Sequence, residues 1–195
     1  MRQSTIARKT AETDIALTLC LDGGETGAID TGIGFFDHML TLFARHGRFG
    51  LSVTCLGDLH VDAHHTVEDV GLCLGAAFAE ALGERRGIRR YGEATIPMDE
   101  ALVQCAVDIS GRSYLACGLT FSAPMLGEMD ACLVEEFLMA FTRRAGVTLH
   151  VRQLAGKNPH HIAEACFKAL ARALREAAAI DPEEGDAIPS TKGVL

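Results

Sequence analysis

His64-His65-Thr66-Val67-Glu68 and His160-His161-Ile162-Ala163-Glu164 carry one pattern, His-His-x-x-Glu, twice in the same chain. Four of the eight histidines lie in these two runs, so the pattern is where the chain concentrates its imidazoles. On a helix, at about 100° per residue, the two His and the Glu of each run fall within an arc of about 100°. One such run is usually an ordinary surface patch. Two runs in the same register, each entering an apolar helix, point to a polynuclear metal site between two helices. Beyond each run the apolar residues keep a helical stripe: Val67, Val70, Leu74, Phe78 and Ala81 in 64–82, and Ala163, Cys166, Phe167, Leu170 and Leu174 in 160–178. Gly71 and Gly75 each weaken the first helix by about 1 kcal/mol against Ala, which suggests close packing against an unidentified neighbour.

The repeat extends upstream of both runs. Asp37-His38-Met39-Leu40 opens an apolar segment that ends at His46-Gly47, and Glu135-Glu136-Phe137-Leu138 opens one that ends at Ala145-Gly146. Each Gly is expected to stop a helix. Alternating strands follow, Leu51 to Cys55 and Val147 to Val151, and each leads to a His-His helix. Before these units lie further strands, Ile15 to Leu19, closed by the hairpin signal Asp22-Gly23-Gly24, and Ala101 to Ile109, closed by Ser110-Gly111-Arg112. The chain therefore reads as α+β, a ββαβα unit duplicated in halves 1–91 and 92–195 that together form one functional domain.

Composition fits a globular domain: 195 residues, 48% hydrophobic and 23% charged. A net charge of −8 without a basic run argues against nucleic acid as a partner. Seven cysteines, an odd number with no CxxC pair, read as buried thiols in a reducing compartment, and a cytoplasmic location is expected. No apolar run approaches the 18 or so residues of a membrane span, and no signal core follows the N-terminus.

The duplication extends the ligand set, because His38 and Glu136 occupy corresponding places in the two short helices. Eight candidate metal ligands result: His38, His64, His65, Glu68, Glu136, His160, His161 and Glu164. The mixture of imidazole and carboxylate suits Mn2+, Fe2+ or Zn2+ better than Ca2+ or Mg2+. Spacing does not decide which His serves which ion. His46, His60 and His150 have no such partners and read as loop or strand surface. A cationic set stands beside the ligands: Arg90, Arg112, Lys168 on the metal face of its helix, and a tail, Pro189-Ser190-Thr191-Lys192-Gly193, with hydroxyl, ammonium and backbone donors for a phosphate.

Phe36-Asp37-His38-Met39-Leu40, Asp62-Ala63-His64-His65-Thr66-Val67-Glu68-Asp69, Gly156-Lys157-Asn158-Pro159-His160-His161 and Pro189-Ser190-Thr191-Lys192-Gly193 together resemble the signatures of imidazoleglycerol-phosphate dehydratases, in order and spacing, over essentially the whole chain. The resemblance implies a ribosomal protein S5 domain 2-like fold of two four-stranded sheets backed by helices. It implies the stand-alone enzyme, which dehydrates D-erythro-imidazole glycerol phosphate to imidazole acetol phosphate in the sixth step of histidine biosynthesis. It implies two Mn2+ per active site and a 24-subunit shell with sites at subunit boundaries. Under it, Arg90, Arg112, Lys168, Ser190 and Lys192 hold the phosphate or line the site. Glu12 touches the substrate and exchanges protons, with Glu164 and His65 completing the expected catalytic set. The expected route runs through a metal-bound imidazolate and a diazafulvene-like intermediate. One position departs from the pattern: many members read Val-Glu-His-Phe where this chain has Val134-Glu135-Glu136-Phe137, so a carboxylate replaces an imidazole in the ligand set. Two rival readings are a dinuclear phosphate hydrolase, which would be expected to carry more Asp-rich motifs near the histidines, and a metal-stapled assembly protein, which leaves the cationic set unexplained.

Overall fold

The computed structural model describes residues 1–195. Its first half runs β1 (Gln3–Lys9), β2 (Thr13–Cys20), β3 (Ile29–Asp30), α1 (Gly34–Gly47), β4 (Gly50–Gly57) and α2 (His64–Leu82). The second runs β5 (Tyr91–Met98), β6 (Ala101–Asp108), β7 (Tyr114–Gly118), a small hairpin of β8 (Met125–Leu126) and β9 (Met129–Asp130), then α3 (Leu133–Ala145), β10 (Thr148–Ala155) and α4 (Pro159–Ala178). The two main sheets are four-stranded, in the orders β1-β2-β4-β3 and β5-β6-β10-β7. The expected α+β duplication with four-stranded sheets is present.

The fourth strand of each sheet lies outside the ββαβα pattern. β3 and β7 pair in parallel with β4 and β10, so β3-α1-β4 and β7-α3-β10 are crossover units. Two residues of β3 are too few to show an alternation. This also corrects the hairpin expected at Asp22-Gly23-Gly24. The antiparallel neighbours of β2 are β1 and β4, and the glycines, at φ 100° and 139°, carry the chain across to β3 instead. The tight hairpins are the turns before Thr13 and before Ala101.

Alternation sets which face of each sheet is covered. Ile15, Leu17 and Leu19 are buried and Asp14 and Ala16 exposed, and β6 alternates in the same way from Ala101 to Val107. The covered faces pack on the helices, and every stripe residue expected on α2 and α4 is buried. A single cluster of 52 buried residues spans both halves. Phe137 of α3 stacks on Phe141 and Phe167 at 6.5 and 5.1 Å and meets Phe36 of α1 edge-on, joining helices of both halves.

Each long helix pairs with the short helix of the other half. Gly71 lies against Phe137 and Ala140, and Gly75 against Phe141, Arg144 and Ala145, so α2 and α3 run in the same direction. A Cβ on Gly75 would sit 2.4 Å from the Phe141 carbonyl oxygen, so α3 is the neighbour that requires the two glycines. On the other side His38 meets Glu164 and Arg175 donates to the carbonyl of Gly47, so α1 and α4 are also parallel. The N-terminal turns of each pair therefore lie side by side. Gly146 ends α3 in the left-handed conformation, as expected; in α1 that residue is Arg48 (φ 52°). Gly47 is required for a different reason, since a Cβ there would fall 2.3 Å from the Phe49 ring.

Candidate metal centre

The histidine pairs sit in the first turns of α2 and α4, and both turns are fixed in the same way. The Asp62 carboxylate accepts the His64 backbone N–H at 2.8 Å, and the Asn158 side chain accepts that of His160 at 3.0 Å, with Pro159 opening α4. Capping two residues before each pair holds it at the helix N-terminus.

On the α1–α4 side, ligand atoms of His38, His160 and Glu164 lie within 4.8 Å of one another. His38 Nε2 is 2.8 Å and His160 Nε2 3.3 Å from Glu164 Oε1, while Lys168 Nζ donates to Oε2 at 2.7 Å. Glu164 is only 6% exposed. Burial alone would raise its pKa, but hydrogen bonds from Lys168 and His38 reverse that and hold it at about 2. At neutral pH it is an acceptor only. His38 belongs to the first half and the other two residues to the second, so the cluster exists only once the halves have packed.

On the α2–α3 side, His64 Nε2 stands 3.7 Å from Glu68 Oε2. Glu136 is half-buried in the first turn of α3, whose next turn packs against Gly71 of α2. The two sides are related by the duplication, His38 with His160 and Glu164 against Glu136 with His64 and Glu68, but only the first is drawn together in a single chain.

His65 and His161 turn elsewhere. His65 Nδ1 is 2.9 Å from Asp58 Oδ2, and its Nε2 is 3.7 Å from Glu12. His161 Nδ1 is 2.7 Å from Glu100 Oε2, and its Nε2 is 3.8 Å from Asp99. Hydrogen bonding to Asp58 and to Glu100 raises the pKa of each imidazole, while His161 and the backbone N–H groups of Asn158 and Lys157 hold Glu100 at about 2. Glu12, half-exposed, sits at the tip of the β1–β2 hairpin. The base of that tip is tied to α2, because Thr13 donates to the buried Asp69 at 2.5 Å and Arg8 pairs with the same carboxylate.

The cationic set divides. Arg90 forks onto Asp108 at 2.8 and 3.3 Å and donates to the Pro189 carbonyl at 2.9 Å, which brings the tail to it. Arg112 lies 3.9 Å from the same Asp108, and the carbonyl of Leu195 folds back over Gly111. Ser190 accepts the backbone N–H of Lys192 at 3.2 Å, so hydroxyl and ammonium share one turn. Arg90, Arg112, Ser190 and Lys192 thus gather at one place. Lys168 does not join them; it is bound to Glu164. The backbone N–H of Arg90 meets the carbonyl of Ala177. From there to Glu164 is thirteen residues of helix, about 20 Å.

Asp58 and Glu100 escape a reading by motif, because their contacts with the histidines are made by loop closure. Glu100 had one signal: it precedes β6 as Glu12 precedes β2. His46, read as plain surface, is half-buried in a cleft of about 620 Å³ with Arg48, Arg89, Arg172 and Arg175. Burial, then the charges of Lys168 and Arg172, lower its pKa. All seven cysteines are free thiols, and no helix is long and apolar enough to cross a membrane.

Comparison with known proteins identifies the family and the fold. Residues 31–174 match the family model described as imidazoleglycerol-phosphate dehydratase. An imidazoleglycerol-phosphate dehydratase of Gluconacetobacter diazotrophicus is 60% identical over 194 residues, covering 100% of this chain and 98% of the relative. That of Xanthobacter autotrophicus is 57% identical over 195 residues, covering 100% and 99%. The crystal structure of the Staphylococcus aureus enzyme superposes with a TM-score of 0.84 at 37% identity, over 91% of this chain and 99% of that one. The Pyrococcus furiosus enzyme, solved in complex with (S)-C348, gives 0.84 at 38%, over 97% and 100%. This chain belongs to the imidazoleglycerol-phosphate dehydratase family, hydro-lyases of histidine biosynthesis.

Proposed function

We propose that the chain dehydrates D-erythro-imidazole glycerol phosphate to imidazole acetol phosphate, the sixth step of histidine biosynthesis, with two Mn2+ per active site. The observation that carries the metal reading is the convergence of His38, His160 and Glu164 within 4.8 Å. A buried, ionised carboxylate facing two exposed imidazoles is a donor set that a divalent cation fits. His38, His160 and Glu164 would hold one ion, and His64, Glu68 and Glu136 the other. His65 and His161, turned away from the glutamates of their own runs, would complete these sets on neighbouring copies.

Distance supports a shared site. The Arg90–Arg112–tail cluster and Glu164 are about 20 Å apart along α4. A ring, three carbons and a phosphate are too short to span that gap. One active site would therefore combine the ligand cluster of one copy with the phosphate cluster of another, in the 24-subunit shell that the family resemblance implies.

The C–O bond to be broken is on the carbon beside the imidazole, and the C–H to be broken, on the next carbon, is not acidic by itself. The Mn2+ pair, when bound, would lower the ring N–H pKa, so that an electron-rich ring could push electron density outward and help expel the hydroxyl. Arg90, Arg112, Ser190 and Lys192 anchor the phosphate and so fix the register of the carbon chain. Lys168 holds Glu164 as a carboxylate at neutral pH, able to accept but not donate a proton. Glu12, half-exposed on a pinned hairpin, is free to take the carbon proton or to protonate the departing hydroxyl.

The test is turnover of imidazole glycerol phosphate by chelator-stripped protein before and after addition of Mn2+, following imidazole acetol phosphate. Activity is expected only with the metal. Bound Mn2+ without turnover would refute the reading, and release of inorganic phosphate would favour a hydrolase.

A further inference from the structure

We propose that Asp58 and Glu100 are positioning residues for the metal centre: each holds the Nδ1 of one histidine, His65 and His161, so that Nε2 is the atom presented to a metal ion. The inference rests on the two-metal reading above.

An ionised carboxylate accepts hydrogen bonds and cannot donate them. Facing Asp58 at 2.9 Å and Glu100 at 2.7 Å, Nδ1 of each ring carries the proton, and the lone pair of the neutral imidazole is left on Nε2. The carboxylates nearest the two Nε2 atoms, Glu12 and Asp99, stand at 3.7 and 3.8 Å, beyond hydrogen-bond reach. Nε2 is thus the uncommitted atom in both rings. It is also Nε2 of His38 and His160 that meets Glu164, and Nε2 of His64 that faces Glu68. All five rings offer the same nitrogen.

The two carboxylates are not copies of one another. Aligning β4 with β10 puts Asp58 opposite Gly156, and aligning β2 with β6 puts Glu100 opposite Glu12. The first half reaches Nδ1 from the end of β4, and the second from the β5–β6 turn. What the halves share is the contact, made from different positions, so duplication of a sequence does not account for it. Both carboxylates are fixed in turn. The Asp58 N–H donates to the Glu12 carbonyl at 3.0 Å, and Glu100 Oε1 accepts from Lys157 and Asn158 at 3.1 and 2.8 Å. Carboxylate–histidine pairs that still reach solvent add little stability by themselves. Orienting a ligand, in contrast, changes metal affinity by about 10–100-fold.

The experiment measures Mn2+ affinity of the full-length protein by the EPR signal of free Mn2+, together with thermal unfolding of the metal-free form. The variants are Asp58→Ala and Glu100→Gln, with Asp58→Glu as the conservative partner. Gln reverses the proton: its amide donates to Nδ1 and leaves the hydrogen on Nε2. Expected are dissociation constants raised about 10–100-fold for Asp58→Ala and Glu100→Gln, partial recovery for Asp58→Glu, and metal-free unfolding within a degree or so of the parent. Parent-like affinity in both variants would overturn the inference while leaving the two-metal reading intact. Collapse of the metal-free fold would assign the carboxylates a purely structural role and also overturn it. Failure of the parent protein to bind Mn2+ would instead refute the two-metal reading.

Discussion

Glu136 tests the duplication most directly, because it stands where the other half has His38. His38 has its partners in Glu164 and His160, whereas Glu136 waits in the first turn of α3 beside the parallel α2. A carboxylate can replace an imidazole on Mn2+ because both are borderline-to-hard donors. Glu136→Ala is therefore expected to lose about half of the bound Mn2+, measured by elemental analysis after dialysis, while the His38 cluster keeps its ion; full metal content would remove Glu136 from the ligands. Glu12 tests the proton chemistry. Its nearest candidate ligand, His65 Nε2, stands 3.7 Å away, so Glu12→Gln should retain Mn2+ and fall in kcat by about 10²–10⁴-fold; near-parent turnover would exclude it as the acid–base group. His64 with Glu68 and His160 with Glu164 were legible in the sequence because a helix converts spacing into direction, whereas the second histidine of each run faces away from its own glutamate, and Glu12 came from the resemblance alone. Asp58 and Glu100 were not legible, since their partners lie 7 and 61 residues away and meet them only through loops. Lys168 was read on the metal face and lies there, paired with Glu164; periodicity gives its direction, and the fold supplies the partner at the end of it.

At the scale of elements, the α2–α3 contact is set by two missing side chains. A methyl group on Gly75 would lie 2.4 Å from the Phe141 carbonyl and 3.0 Å from the Ala145 nitrogen, both backbone atoms of a helix that cannot yield locally. Gly75→Ala gains about 1 kcal/mol of helix propensity, yet is expected to destabilise the fold by a net 1–3 kcal/mol or so through overpacking, read as a lower denaturant midpoint; a stabilised variant would mean that the helices slide apart at no cost. Gly34, in the first turn of α1, has open space around its Cβ direction and no left-handed φ, and offers a control for local glycine effects. A second joint ties the N-terminal strand to the end of α4: Arg2 pairs with Asp22 at 2.6 Å and donates to the Ala178 carbonyl. The hydrogen bond from Arg2 holds the Asp22 pKa below its usual 3.8. The unfolded chain then binds the proton more readily, so this contribution is complete above pH 4 or so and fades as pH falls through the lowered native pKa. Asp22→Asn should flatten that part of the acid-unfolding profile, and an unchanged profile would deny the pair a role. The helices and most long strands could be read from period and stop signals, but β3 and β7 could not: two residues of β3 show no period, and both strands gain their identity from a parallel neighbour distant in sequence.

For the whole molecule, the arrangement within one chain is unfinished in a specific way. Three ligands converge on the α1–α4 side, two histidines point off their own clusters, and the backbone of Arg90 meets α4 about 20 Å from Glu164. Under the proposed two-metal reading, a molecule built like this would reach full coordination only by apposing copies, which would make metal binding and assembly linked equilibria. Each Mn2+ that bridges two chains stabilises the associated state by an amount set by its concentration over its dissociation constant. Stripping Mn2+ with a chelator should therefore shrink the particle, and restoring it should rebuild the larger one, as followed by light scattering or sedimentation velocity. The variant that separates this linkage from simple chelator damage is His65→Ala, which leaves the buried core and the His38–His160–Glu164 cluster in place. It should retain the fold, remain small in the presence of Mn2+, and respond little to chelator. A particle whose size ignores both chelator and His65→Ala would show that association is held by the sheet and loop surfaces alone, and would uncouple the metal centre from assembly.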